Sequence, residues 1–587
     1  MLDPRIYRAA FLPILFALVL AGFSLTNQPR ALTTSVAPQA FDGNLAFQRL
    51  NDMAAAAPLR TPGSTGDDAI ANEVASTLRS NRFSVSSRTF TGQTPDGTRG
   101  LRTVIGTRVG FSNRRILVVA DRDALGRGAK AQLSGTAALL ELARVLGGRT
   151  LNRTLVLAST SGGAGGEAGA IDLAHHLGGP VDAVLVLGDV AGTGTAKPVV
   201  VPWSTREGLA PLTLRRTVEQ AVRAETGTGA GGDRMAIQFT RLALPLTLSA
   251  QGPFNGEGVP AVLLSASGER PPPADEPVSQ DRLAAFGRAA LRSITALDAG
   301  RDVPAPTAYI TIESKVLPAW PVRLLVATLI LPVLLAAIDA FARVRRRRQP
   351  VGMWLRWVGA CAAPFVLAVL LVLFLHAVGV LDRAPPLPAP AGAIPRDGSA
   401  SVVLVVVAAA LLAGWFLLRP LLQRLAGVSG DPTGPGAAAA VVIVLCALTI
   451  CVWLANPFTA LLLVPALHLW LLAIAPEVRA RRAAALAMFA VGLVPPLLLA
   501  YAYGRQFGMN PLDLAWMGVL ALASGQIGIV AALGWSVVLG CTAAVLVIVV
   551  RTVRTGSPEE RTPITVRGPR TYAGPGSLGG TESALRR

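Results

Sequence analysis

Histidine and cysteine are nearly missing from the polar part of this 587-residue chain. The four cysteines, Cys361, Cys446, Cys451 and Cys541, all lie in apolar runs of the second half. That excludes a disulfide framework in the polar part and reads them as small buried hydrophobes. Only two histidines precede residue 317, His175 and His176. As helix neighbours they point about 100° apart and cannot clamp one metal in the i, i+4 manner, so they read as helix-surface residues. Charge is also sparse, at 15% against 52% hydrophobic residues, which fits a membrane protein or a membrane–soluble hybrid. The apolar runs carry no inward acidic series, which argues against a proton-driven pump. His468 is the one candidate near mid-span, and a hydrogen bond between helices accounts for it.

What charge there is has one dominant sign. The formal net charge of +19 rests almost wholly on arginine, and much of it sits beside apolar runs. It therefore marks membrane topology and not a nucleic-acid partner. Arg5 and Arg8 precede an apolar run over 9–25, and no good cleavage site follows, so residues 1–29 are expected to be an uncleaved signal anchor. Residues 30–300 form an exported α/β domain, and 301–319 a linker with a strand-like Tyr309-Ile310-Thr311-Ile312. From 320 to 554 apolar runs of ~20 residues follow, each long enough to cross a bilayer as helix. The runs are 320–341, 354–380, 401–418, 437–454, 459–475, 483–503 and 527–550, with 514–524 readable as an interfacial piece or a further span. Arg343, Arg345, Arg346, Arg347 and Arg348, then Arg419 and Arg424, then Arg479, Arg481 and Arg482 mark cytoplasmic turns. With the anchor this gives eight spans and both termini in the cytoplasm of a bacterial-type plasma membrane. Residues 555–587 read as a disordered cytoplasmic tail. The lipid bilayer is the implied partner.

The polar part is organised around residues 116–170. Ile116-Leu117-Val118-Val119-Ala120 runs into Asp121-Arg122-Asp123. A glycine-bearing turn precedes the helix-like Thr136-Ala137-Ala138-Leu139-Leu140-Glu141-Leu142-Ala143-Arg144. Thr154-Leu155-Val156-Leu157-Ala158 then enters the loop Ser161-Gly162-Gly163-Ala164-Gly165-Gly166-Glu167. Strand, helix, strand and loop form a β-α-β crossover, and loops at the carboxyl ends of such strands are where α/β proteins place sites. A helix is expected over 67–79, and strands over 83–90, 104–107 and 183–187.

These residues resemble the metallopeptidase family 28 zinc aminopeptidases. The likeness is carried by Gly128-Ala129, Ser134-Gly135, Leu139-Leu140-Glu141-Leu142-Ala143-Arg144, Gly166 and Gly169-Ala170. It is supported by Arg60-Thr61-Pro62-Gly63-Ser64, Gly188-Asp189, Ser249-Ala250-Gln251-Gly252-Pro253-Phe254 and Gly258-Val259-Pro260-Ala261. The resemblance implies an aminopeptidase-like, mostly parallel sheet with flanking helices, followed here by an all-α polytopic transmembrane domain. It also implies a two-zinc site, which this sequence departs from. Asp121 stands where the first histidine ligand belongs, and Ala131 replaces the bridging aspartate. Gly163 and Ala164 replace the paired glutamates, and Pro271 falls near the last histidine. Asp123 and Asp189 match.

A two-zinc centre needs a bridging carboxylate, further ligands and a carboxylate base. On this sequence no cofactor is expected, and zinc only if the site has been rearranged. The first reading is a catalytically degenerate domain that binds a peptide, an envelope component or a partner protein. A second is a working hydrolase in which Asp121, Asp123 and Asp189 hold a metal, an oxygen-only set that suits Mg²⁺ or Ca²⁺ better than Zn²⁺. Glu167 would then be the base. A third makes the spans a transporter or assembly scaffold with an exported sensor. Arg122, between two aspartates, is expected to pair with them, and residues 162–166 could cradle an anion with backbone amides.

Overall fold

The computed structural model describes residues 4–554, apart from 34–37, 233, 349, 382–384, 386, 387, 390–392, 395, 476, 479 and 480. The tail expected over 555–587 therefore lies outside the described residues, as does Arg479. In chain order the strands are β1 (Thr26–Asn27), β2 (Ser84–Thr94), β3 (Gly97–Arg108), β4 (Ser112–Asp121), β5 (Arg153–Thr160), β6 (Val181–Leu187), β7 (Val200–Val201), β8 (Ala261–Leu264), β9 (Tyr309–Ile312) and β10 (Lys315–Pro318).

Seven of these make one sheet, in the order β2-β3-β5-β4-β6-β8-β7. Its centre is parallel: Ile116 of β4 faces Leu155 of β5 and Ala183 of β6, and Val184 faces Ala261 of β8. Both ends are antiparallel, through β2–β3, β3–β5 and β7–β8. The sheet is thus mixed, with the expected parallel order confined to its four central strands. The reason lies in the connections: β2 and β3 are joined by a turn at Gly97, φ +94°, too short for a crossover, whereas β4 and β5 are joined by the helix Lys130–Leu146.

Period-two alternation divides the apolar strands between two cores. Ile116, Val118, Leu155, Leu157 and Leu185 pack with the helices Gly43–Ala56, Thr65–Ser80, Lys130–Leu146 and Gln280–Ala299. Leu117, Val119, Val156, Val184 and Val186 face the other way, into a core that continues through Trp203 and Tyr309 to membrane-helix residues such as Val326, Ile330 and Trp470. Covered on both faces, β5 is buried along its whole length. Gly135 lets its helix lie against the sheet, since a Cβ there would stand 2.3 Å from the Leu187 carbonyl oxygen.

Eight described helices are long and apolar enough to cross a membrane: Arg5–Phe23, Ala319–Arg346, Val351–Ala377, Gly398–Leu425, Pro435–Ala455, Pro457–Ile474, Ala483–Phe507 and Ile529–Arg551. The piece expected over 514–524 is the helix Pro511–Ala523. At 13 residues it extends about 20 Å, short of the ~30 Å hydrocarbon core. The segment 301–319 is more ordered than a linker need be. Its β9 and β10 pair with each other and then with β1, making a three-stranded antiparallel sheet between the ends of the first two of these helices.

The α/β part is docked onto these helices through the helix Met235–Ala243 and the residues after it. Asn456 Nδ2 donates to the Leu242 carbonyl at 2.8 Å, the Thr459 hydroxyl to that of Ala243, and the Tyr503 hydroxyl to that of Leu244. Arg241, paired with Glu269, lies 5.3 Å, 5.3 Å and 5.1 Å from the ring centres of Trp203, Tyr503 and Phe507. His468 makes contacts between helices: its Nε2 is 2.9 Å from the Leu329 carbonyl oxygen and its Nδ1 3.4 Å from the Tyr7 hydroxyl.

Candidate functional site

The carboxyl ends of β4, β5, β6 and β8 open on a pocket of about 90 Å³. Asp121 and Asp123 reach it from the end of β4, Gly163, Ala164 and Glu167 from the loop after β5, and Asp189 from the loop after β6. The loop after β8 adds Glu269, Arg270 and Pro271. The structure therefore brings together Asp121, Asp123, Glu167, Asp189, Gly163, Ala164 and Pro271. Ala131 does not reach the pocket. It is buried in the first turn of its helix, where its carbonyl accepts from the Ser134 hydroxyl at 2.6 Å, and its neighbour Gln132 lines the wall instead.

Each carboxyl is held differently. Asp121 Oδ1 accepts from the Thr160 hydroxyl at 2.5 Å. The two oxygens of Asp123 accept from the backbone N–H groups of Gly163 and Ala164 at 3.1 Å and 2.8 Å. Asp189 Oδ1 accepts from Ala191 and Gly192 at 3.1 Å and 2.6 Å, and the Ser267 hydroxyl also acts on this carboxyl. Glu167 sits in the left-handed region at φ +55°, and its Oε2 is buried without a partner. In that conformation the side chain lines the pocket beside Asp121 and Asp123.

Arg122 does not join this cluster. Successive residues at a strand end point to opposite faces, so its guanidinium turns away from its neighbours and meets Asp67, Nε to Oδ1 at 2.8 Å. It also donates to the carbonyls of Ser159 and Arg102 at 2.9 Å and 2.6 Å. Arg60, fully buried beneath the same turn, donates to the carbonyls of Arg122, Gly128 and Ala129. The expected neutralisation of the aspartates by Arg122 is replaced by a separate buried ion pair, which tethers the floor of the site. The amides of Gly163 and Ala164 are engaged by Asp123, so they do not form the anion cradle anticipated over 162–166.

Burial raises the pKa of all four carboxyls around this small pocket. Burial raises Asp123 to about 7, with Asp67 and Asp121 pushing the same way against the two backbone N–H groups. Burial also raises Asp121, opposed by the Thr160 hydroxyl and by Arg122. Glu167 stands well above the usual carboxylate range, through burial and then the charges of Asp121 and Asp123. Asp189 is raised by burial against the N–H groups that it accepts from. Asp67, Glu269 and Arg270 are the site residues that sequence reasoning missed. The signal for the last two was available, because they follow a parallel strand at its carboxyl end.

Among the described residues no group of three or more His, Cys, Asp or Glu side chains is arranged to hold a metal ion. His175 and His176 stand away from the pocket on the helix Ala168–His175 and its cap. There His176 Nε2 lies 2.9 Å from Arg88 and His175 Nε2 lies 3.7 Å from Glu257.

No protein-family profile matches the chain, and no curated protein is similar to it. Several solved structures are. A glutaminyl cyclase from Porphyromonas gingivalis is 18% identical over 44% of this chain and 98% of its own, with a TM-score of 0.36. A zinc aminopeptidase from Bacillus subtilis is 10% identical over 45% and 98%, with a TM-score of 0.36. A leucine aminopeptidase precursor from Bacteroides thetaiotaomicron is 18% identical over 43% and 97%, with a TM-score of 0.35.

Proposed function

We propose that the α/β domain is a ligand-binding domain that keeps the aminopeptidase-like framework without its two-zinc chemistry, carried on the outer face of a bacterial-type plasma membrane by a multi-pass anchor. One observation carries the reading: both oxygens of Asp123 are occupied by the amides of Gly163 and Ala164, the residues that stand in for the paired glutamates. The backbone N–H groups of that loop supply the partners of this carboxyl. The donor set supports the same view, being all carboxyl oxygens, several already hydrogen-bonded, with no imidazole near. A pocket lined by carboxyls of lowered acidity suits a ligand bearing N–H donors, such as the amino end of a peptide or an amine-bearing envelope component.

The arrangement of Glu167 favours a second reading in one respect, since it brings that carboxyl beside Asp121 and Asp123. A hydrolase would use it to take a proton from water. Burial instead raises its pKa well above the usual carboxylate range, which disfavours the ionised form that a base needs. Full-length protein in detergent is expected to carry far less than one equivalent of zinc by emission spectroscopy and to leave aminoacyl substrates uncleaved. Near-stoichiometric metal together with cleavage overturns the proposal. Sidedness rests on the arginine clusters. A single cysteine at Gly97, in an exported turn, is expected to react with an impermeant maleimide in intact cells, and one at Arg347 only after lysis. The reverse pattern would invert the topology.

A further inference from the structure

A second pocket, of about 240 Å³, lies beside the first, against the helix Pro511–Ala523. Its wall is mostly apolar, with Met509, Met517 and Leu520, and its polar groups include the Arg396–Asp513 ion pair at 3.3 Å. Trp516 also lines it, 8% exposed, with a buried indole N–H that has no partner. One apolar cluster joins the linings of the two pockets at their boundary. Leu248, which lines the acidic pocket, packs in one cluster with Met509 and Met517, which line the apolar one. On the same boundary the exposed Arg270 of the acidic pocket comes within 2.4 Å of where a Cβ on Gly508 would lie. Gly508 precedes Met509 and has φ +68°, so a bare backbone lets the arginine pass. Within the acidic pocket, Glu167 and Asp189 are only 5% and 3% exposed, and Glu167 Oε2 has no partner. Buried acceptors left unmet are costly unless a donor arrives.

We propose that the two pockets form one bipartite site for a bilayer amphiphile. Its primary-amine head donates to the free oxygen of Glu167 and to the Asp189 carboxyl beside it, and its hydrocarbon tail passes the Leu248–Arg270 boundary to lie against Met509, Met517 and Leu520. The bilayer is the favoured source because the apolar half, built on the short helix Pro511–Ala523 and on segments that join membrane-spanning helices, is continuous with the cluster that contains Tyr503 and Phe507 of the spanning helix Ala483–Phe507. The inference rests on the binding-domain reading above and adds the class of ligand.

Isothermal titration of the full-length protein in a nonionic detergent tests it, with dodecylamine, dodecanol and ethylamine as probes and detergent alone as blank. Dodecylamine is expected to bind about tenfold or more tightly than either of the others, because burial of each added methylene strengthens binding several-fold. Glu167→Gln with Asp189→Asn should bring dodecylamine down to the level of dodecanol, and Met517→Trp, which fills the tail pocket, down to that of ethylamine. If ethylamine matches dodecylamine and Met517→Trp changes nothing, the bipartite site falls while the binding-domain reading stands. If no amine binds, both fall. An apolar peptide bound through its free amino terminus, and not when acetylated, with alkylamines ignored, overturns the lipid assignment alone.

Discussion

Asp123 shows how burial and hydrogen bonds compete to set the acidity of a single carboxyl. It is buried, faces other carboxyls and is held by two amides, and burial outweighs the amides, so that it titrates at about 7. The unfolded chain releases this proton near pH 4. Between these two values the native state binds the extra proton, so the stability contributed by the group is present below about pH 4 and is lost as pH rises towards 7. Infrared difference spectra should show a protonated-carboxyl band vanishing with a midpoint near 7, and Asp123→Asn should remove that band. The same variant should flatten the fall of the melting temperature across that window. A band that persists unchanged in the variant would assign the titration to another carboxyl.

At the level of the element, the turn after β4 and the loop after β5 are fixed from below by the buried pair Arg122–Asp67, 2.8 Å apart. Removing one partner leaves a buried charge uncompensated, at a cost of about 3–5 kcal/mol. Arg122→Ala should therefore lower the unfolding midpoint sharply, and the double change Arg122→Met with Asp67→Asn should recover much of the loss. Equal losses in the two proteins would show that the pair is not what anchors the turn. The loop has no room for a side chain at one of its positions. A Cβ on Gly163 would lie 2.4 Å from Asp121 Cγ, so Gly163→Glu with Ala164→Glu displaces Asp121. Emission spectroscopy is expected to find no more zinc in that double variant than in the parent. A folded variant loaded with zinc would contradict this.

For the whole molecule, one buried cation joins the hydrogen bonds and apolar contacts that hold the docked arrangement. Arg241 is almost fully buried, paired with Glu269 and surrounded by Trp203, Tyr503 and Phe507. Glu269 also accepts from the Leu248 N–H at 2.9 Å, so the ion pair joins the wall of the acidic pocket to the helix Arg482–Phe507. Arg241→Met keeps much of the volume but leaves Glu269 without its cation. Hydrogen exchange over residues 235–250 should rise by orders of magnitude if the segment comes away from the membrane helices, with exchange in β4 and β5 unchanged. Unaltered protection at 235–250 would place the anchor elsewhere.

Periodicity and run length settled the larger plan. Alternating and continuous apolar strands, one amphipathic crossover helix and a series of apolar runs are local patterns, and local patterns are legible because each residue's burial follows from its own spacing. The central β-α-β unit and the eight apolar helices were readable in that way, as were Asp121, Asp123 and Asp189 at strand ends. The direction of the outer strands was not, since pairing depends on which edge a hairpin finds. Nor was the placement of Glu167, whose backbone beside the cluster is left-handed. The partner of Arg122 was hidden for a similar reason: it comes from Asp67, far along the chain. The adjacency of the two pockets arises only when Leu248 and Arg270 meet Met509 and Gly508 across the docked halves. Contacts between residues distant in sequence are chosen by packing, and no spacing along the chain encodes them.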